Sequence, residues 1–301
     1  MATAAEPRPA QLPLPGGREN ATVRVHPLLV ARMVGPPALF HRESGRLGRL
    51  RALGVGVPTS SWLELPVVAF LVEHPSAGPI LIDTGFHASV AVEPKHAWGR
   101  FGSLLFRELQ MDADQAVPAQ LRGHGVAAEE VGTVLMTHLH SDHASGISQF
   151  PDSTFLVSDR EWDAASEGGQ LEGYFPRQFD HAFDWRLIDF EAPGVDSFAT
   201  FGRAVDVFGD GSVRMVFTPG HSAGHCGVVL RLREREALIA GDAIYTMRTL
   251  RESALPARMQ DEHRFRRSLR EIQLYAKETP DVLIVPGHDM EHWRTLDAVY
   301  E

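Results

Sequence analysis

The sequence is short of three things, and each shortage removes a class of function. It has one cysteine, Cys226, in 301 residues. That excludes an intrachain disulfide framework and any zinc site built from several thiolates, and it fits a reducing compartment. Positive charge is also scarce: 29 Lys and Arg stand against 39 Asp and Glu, for a formal net charge of -10. A chain so balanced is a poor match to a phosphate backbone or an anionic membrane surface, so neither nucleic acid nor membrane is an expected partner. Finally, no apolar run approaches the roughly 20 residues of a membrane-spanning helix. The opening MATAAEPRPAQLPLPGGREN lacks the basic and apolar regions of a secretory signal. The expected location is cytoplasmic.

What is present is ordinary globular material, 44% hydrophobic and 23% charged, in a chain long enough to bury a large core. Residues 1–20, rich in Pro, Ala and Gly, are expected to be a flexible tail. With no internal repeat or long linker, residues 21–301 are expected to form a single domain. TVRVHPLLVARM reads as an early strand. LPVVAFLVEH and PILIDTG flank the turn signal Pro75 to Gly78 as a hairpin would. From Phe86 to Glu130 the pattern is mostly helical, in FGSLLFRELQ and in DADQAVPAQLRGHG, where Pro118 starts or kinks a helix.

Four later apolar runs share one property. VGTVLMT leads into His138, VRMVFTPG into His221, ALIAG into Asp242, and DVLIVPG into His288. Strands that end at one sheet rim deliver such side chains to a common edge, where ligand sites of α/β proteins lie. Three of the four runs pass through a glycine immediately before the polar residue, which permits a tight turn. Within THLHSDHASG, His138 and His140 stand two apart and point to one side of an extended segment. Asp142 and His143 follow at a turn that opens a helix, so one cluster can serve two ions. Imidazoles from separate segments, with no cysteine set to close a tetrahedron, are the composition of a catalytic metal site. The remaining histidines, such as His26, His74 and His292, lack such a context.

The set HLHSDH, His221, Asp242 and His288, preceded by LIDTG, resembles the metallo-β-lactamase superfamily in its dinuclear hydrolase form. The matching segments run from about residue 65 to 290. The resemblance implies an α/β fold, an αββα sandwich of two mixed β-sheets flanked by helices. It implies that His138, His140 and His221 hold one metal, that Asp142, His143 and His288 hold the second, and that Asp242 bridges them. Asp83 in LIDTG, Thr137 and His225 are candidates for ordering the ligands by hydrogen bonds. The expected cofactors are two divalent metal ions, zinc first, with Fe, Co or Mn also suited to imidazole-rich sets. Four positive charges against two aspartates and a bridging hydroxide leave such a site about one unit positive, fit to stabilise an oxyanion.

GDAIY places Tyr245 three residues beyond Asp242. Together with HLHSDHA and a terminal GHD, this is similar to the N-acyl homoserine lactone lactonases. That similarity implies a hydrolase in which metal-held hydroxide attacks a lactone carbonyl, Tyr245 steadies the oxyanion, and Asp142 passes a proton to the leaving alkoxide. The partner is then a small-molecule lactone or ester, and a homodimer is compatible with the resemblance. The stretch between His143 and His221 is longer than in compact lactonases. Its aromatics (Tyr174, Phe175, Phe179, Phe183, Trp185) form either a buried face or, within residues 160–190, a lid. Alternatives are a glyoxalase-II-like thioester hydrolase using Arg248, Arg251 and Arg258, a promiscuous lactonase, and a non-catalytic protein that keeps the fold. The last normally loses ligands, and here all seven positions are filled.

Overall fold

Alternating apolar residues build two mixed sheets that stack face to face. The structure is a computed structural model and describes residues 5–98 and 106–301. The first sheet has the order β1 (Arg8–Pro9), β8 (Asp184–Ile188), β7 (Thr154–Ser158), β6 (Thr133–Leu135), β4 (Gly78–Ile82), β3 (Leu63–His74), β2 (Arg24–Gly35), β5 (Arg107–Gln110). The second runs β14 (Leu283–Pro286), β13 (Glu236–Gly241), β12 (Cys226–Arg231), β11 (Val213–Phe217), β10 (Phe201–Asp206), β9 (Asp196–Phe198). Strands β4, β6, β7, β8 and β1 pair in parallel, as do β13 and β14, and the other pairings are antiparallel.

Strand β3 shows why the sandwich forms. Leu65, Val67, Ala69 and Leu71 enter the core under the outer helices, while Val68, Phe70 and Val72 enter the core between the sheets. A strand covered on both faces reads as one continuous apolar run. The second sheet repeats the division. Val228 and Leu230 face inward, and Val229 faces the helix Glu262–Glu278, which buries Phe265, Leu269 and Ile272 at helical spacing. This is the expected αββα sandwich. Cys226 lies in the inter-sheet core, where burial pushes its thiol well up, as suits an inert side chain. Among the described residues, no helix is long and apolar enough to cross a membrane.

Two expectations need correction. The N-terminal segment is not a free tail over its described part, since β1 extends the sheet at β8, and Leu14 is buried with its N–H donating to Val207. Proline and glycine composition hid the fact that the open edge of β8 accepts a partner. In FGSLLFRELQ, residues 101–105 lie outside the described residues. Arg107–Gln110 is strand rather than helix, because the free edge of β2 is available to pair with it. Of the two readings of the aromatics in residues 160–190, the buried face is the one observed: Tyr174, Phe175, Phe179 and Trp185 are buried, and Trp162 packs on both Phe179 and Trp185. The helix expected near Pro118 does start there, at Val117–Gly123.

At the end of β3, Nδ1 of His74 accepts the N–H of Ser76 and Ala77, leaving Nε2 to face Asp210 at 3.0 Å. Burial works to raise the Asp210 carboxyl, but hydrogen bonds from Ser212, the Arg18 N–H and His74 outweigh it and hold the group at about 2. A depressed carboxyl stabilises the fold above its unfolded value near 3.8, and the contribution disappears as pH falls through about 2. Asp210→Asn is therefore expected to cost about 2 kcal/mol in urea unfolding near pH 6, with the difference closing between about pH 4 and pH 2. A difference that stays constant across that window would remove Asp210 as the source.

Candidate metal centre

All four expected strand ends converge on one rim. His138 and His140 follow β6, His221 follows β11, Asp242 follows β13, and His288 follows β14. The turn after His140 opens the short helix Ser141–Ala144, which carries Asp142 and His143. The rim is tight. A Cβ on Gly287 would stand 2.3 Å from Asp242 Oδ1, so only glycine lets β14 pass the carboxylate on its way to His288. Gly220 is under the same constraint, with φ of +134° and its missing Cβ 2.1 Å from the Phe265 nitrogen.

The seven side chains form three overlapping groups whose nitrogen or oxygen atoms lie within 4.8 Å of one another: His138, His140 and His221; His138, His143 and Asp242; Asp142, His143 and His288. In the first group, His221 Nε2 is 3.2 Å from His138 Nε2 and 2.9 Å from His140 Nδ1. In the last, His288 Nε2 is 3.3 Å from Asp142 Oδ2. Asp242 stands between them. Its Oδ2 is 3.4 Å from His221 Nε2, and its Oδ1 is 3.3 Å from His288 Nε2 and 3.5 Å from His143 Nε2.

The donor set suits cations. His143 Nε2 and Asp242 Oδ1 are buried and make no hydrogen bond, though they face each other. Buried polar atoms left unpaired are costly, and a cation between them satisfies both. Four imidazoles turn Nε2 inward and engage Nδ1 outside. His138 Nδ1 meets Thr137 Oγ1 at 3.1 Å, His143 Nδ1 meets Asp83 Oδ2 at 2.8 Å, His221 Nδ1 meets the Tyr245 hydroxyl at 2.9 Å, and His288 Nδ1 meets the Pro66 carbonyl at 3.0 Å. Outer contacts of this kind fix the tautomer and the ring plane of a ligating histidine. His225 plays a backbone part: its Nε2 accepts the Asp242 N–H at 3.0 Å, and Thr218 holds its Nδ1.

Charge divides the site in two. Burial holds His138, His140 and His221 below their ordinary range and so in the neutral form that ligates. Burial also opposes charge on His143 and His288. There the carboxylates prevail: Asp142, Asp83 and Asp242 raise His143 well above its usual value, and Asp242 with Asp142 raises His288 to about 10. Positive charge is thus drawn to the carboxylate half of the site.

Sequence reasoning placed Tyr245 toward substrate and missed its contact with His221. It also passed over Glu161, a buried carboxylate beside the ligand loops. No motif marks Glu161, which stands in a helix that reads as surface. Of the three arginines offered for a thioester substrate, Arg248 pairs with Glu252, and Arg258 donates to the Leu171 carbonyl.

A model of the metallo-beta-lactamase superfamily matches residues 62–288. The chain belongs to the metallo-beta-lactamase superfamily. An N-acyl homoserine lactonase AttM of Rhizobium radiobacter is 33% identical to it, over 79% of this chain and 87% of the relative. Among solved structures, an N-acyl homoserine lactone hydrolase with N-hexanoyl-L-homoserine at its catalytic metal centre superposes with a TM-score of 0.72 at 22% identity. It covers 92% of this chain and 97% of its own. AidC, a dizinc quorum-quenching lactonase, superposes at 0.57 with 12% identity, covering 92% and 90%. At these identities the superpositions bear on the superfamily fold alone.

The carboxylates that raise His143 and His288 favour their protonated forms, so a cation taken up by these imidazoles would displace protons. Adding zinc to metal-depleted protein in weak buffer at pH 7 is expected to release on the order of two protons per chain. His288→Ala is expected to release fewer. Saturable binding with no acidification would remove these two histidines from the ligand set.

Proposed function

We propose that the protein is an N-acyl homoserine lactonase, a quorum-quenching hydrolase that opens the lactone ring. We propose further that two divalent ions, zinc in the first instance, are held at its rim. His138, His140 and His221 would hold one, Asp142, His143 and His288 the other, and Asp242 would face both. The observation that carries the reading is the Asp242 carboxylate, one oxygen turned to each cluster, with the Tyr245 hydroxyl at the edge of the same site. Kinship with the 33%-identical lactonase supports the substrate class. When bound, such ions lower the pKa of water toward about 7 and polarise an ester carbonyl.

The chain's own groups do the rest. Were His221 to hold the ion through its inward Nε2, its Nδ1–H would donate to the Tyr245 oxygen, leaving the phenol proton free to point at the substrate carbonyl oxygen. Burial and the nearby Asp242 and Asp142 carboxylates keep the Tyr245 pKa well above 10, so this proton stays on the phenol throughout neutral pH. A neutral donor already in place strengthens its bond as the carbonyl oxygen gains charge. Asp142 turns Oδ2 to His288 and is suited to carry a proton to the departing alkoxide. Asp83 and Thr137 steady His143 and His138 during these events.

Of the three arginines proposed for the thioester alternative, Arg248 and Arg258 are already engaged, with Glu252 and the Leu171 carbonyl. Zinc-loaded protein is expected to hydrolyse acyl homoserine lactones with a kcat/KM above that for aryl esters or S-lactoylglutathione. Tyr245→Phe is expected to lower kcat by roughly 10- to 100-fold with both metals retained. Preferential thioester cleavage would overturn the substrate class, and unchanged lactone turnover in Tyr245→Phe would remove the phenol from the chemistry.

A further inference from the structure

Glu161 is a carboxylate with no exposure, in the first turn of the helix Asp159–Glu167. Four donors converge on it. Oε1 accepts the Leu139 N–H at 3.0 Å and the Tyr174 hydroxyl at 3.1 Å. Oε2 accepts the Ser222 hydroxyl at 2.6 Å and the Gly224 N–H at 3.1 Å. No cationic side chain among the described residues pairs with it. A carboxylate offers roughly four lone-pair positions, so the group is saturated by these donors alone.

The identity of the donors gives the arrangement its meaning. Leu139 lies between His138 and His140, and Ser222 follows His221. Tyr174 sets its ring, tilted by 50°, 4.8 Å from that of His140, and the two residues form a backbone bridge. Gly224 lets its loop press on the helix itself, for a Cβ there would stand 2.2 Å from the Glu161 nitrogen. Every bond to Glu161 therefore fixes a segment beside the three-histidine cluster. None of the four donors belongs to the helix Ser141–Ala144, which carries Asp142 and His143, or to the segment carrying His288; there Asp83 contacts His143 directly.

We propose that Glu161 is a positioning residue for one ion only, joining the His138–His140 and His221 loops through a buried carboxylate so that their three imidazoles converge. This rests on the two-ion reading of the centre and goes beyond it by assigning the two halves different supports. An amide at 161 keeps one acceptor oxygen and turns its NH2 toward two donors. The loops then part while the helix is left intact, and one half of the centre loosens.

The test is zinc titration of the full-length protein against a chromophoric chelator, with cobalt absorption as a second readout. The wild type is expected to take up two ions. Glu161→Gln is expected to weaken one by about 10- to 100-fold and leave the other within about twofold. Its cobalt spectrum should match that of His140→Ala and differ from that of His288→Ala. If Glu161→Gln does not fold, Ser222→Ala keeps the carboxylate and is expected to weaken the same ion by a smaller factor. Equal weakening of both ions, or of neither, in a wild type that binds two would overturn the role of Glu161 alone. A wild type that binds fewer than two ions would overturn the two-ion reading together with it.

Discussion

The Asp242 carboxylate is buried at the end of β13, with one oxygen toward His221 and the other toward His143 and His288. An isolated carboxylate in that position costs several kcal/mol, and the surroundings answer that cost directly. His225 receives its backbone N–H, Gly287 makes room for Oδ1, and the inward nitrogens of four elements close around it. Remove that charge and the two clusters have no common wall. The meeting of the two sheets at one rim, the glycines before the ligands and the burial of the imidazoles all serve to make this single placement tolerable.

Around Asp242 the two halves follow different electrostatic rules. The three-histidine half is neutral by burial and contains no carboxylate of its own apart from the shared one. The other half contains Asp142 with Asp83 behind it, and it raises its histidines instead. The outer supports differ accordingly. Asp83 touches an imidazole directly and also accepts from Thr137, whereas Glu161 acts on backbone and hydroxyl groups beside the rings. If the site holds two ions as proposed, this division gives no physical reason for it to hold them with equal strength.

Much of this was legible in the chain. Apolar runs ending in Gly-His or Gly-Asp announced the strand ends, because a ligand at a rim needs both a strand to deliver it and a turn that accepts it. The HLHSDH stretch carried its geometry in its spacing: alternation for His138 and His140, then a helix start for Asp142 and His143. The β3–β4 hairpin was readable from the turn residues between two runs too apolar to be loops. What these features share is a local cause, since each depends on neighbours within a few positions.

The features that escaped have distant causes. β5 is a strand because β2 offers it an edge, and β1 because β8 does. The aromatics after residue 160 left two readings open, and only the packing beneath the first sheet decides between them. Glu161 is the clearest case. Its donors come from three segments of the chain, and half of them are backbone N–H groups that no residue letter reveals. A carboxylate in a short polar helix reads as solvated unless those segments are known to close over it. The stretch between His143 and His221 therefore serves the site as scaffolding: it supplies the helix that carries Glu161 and, in Tyr174, a donor to the same carboxylate.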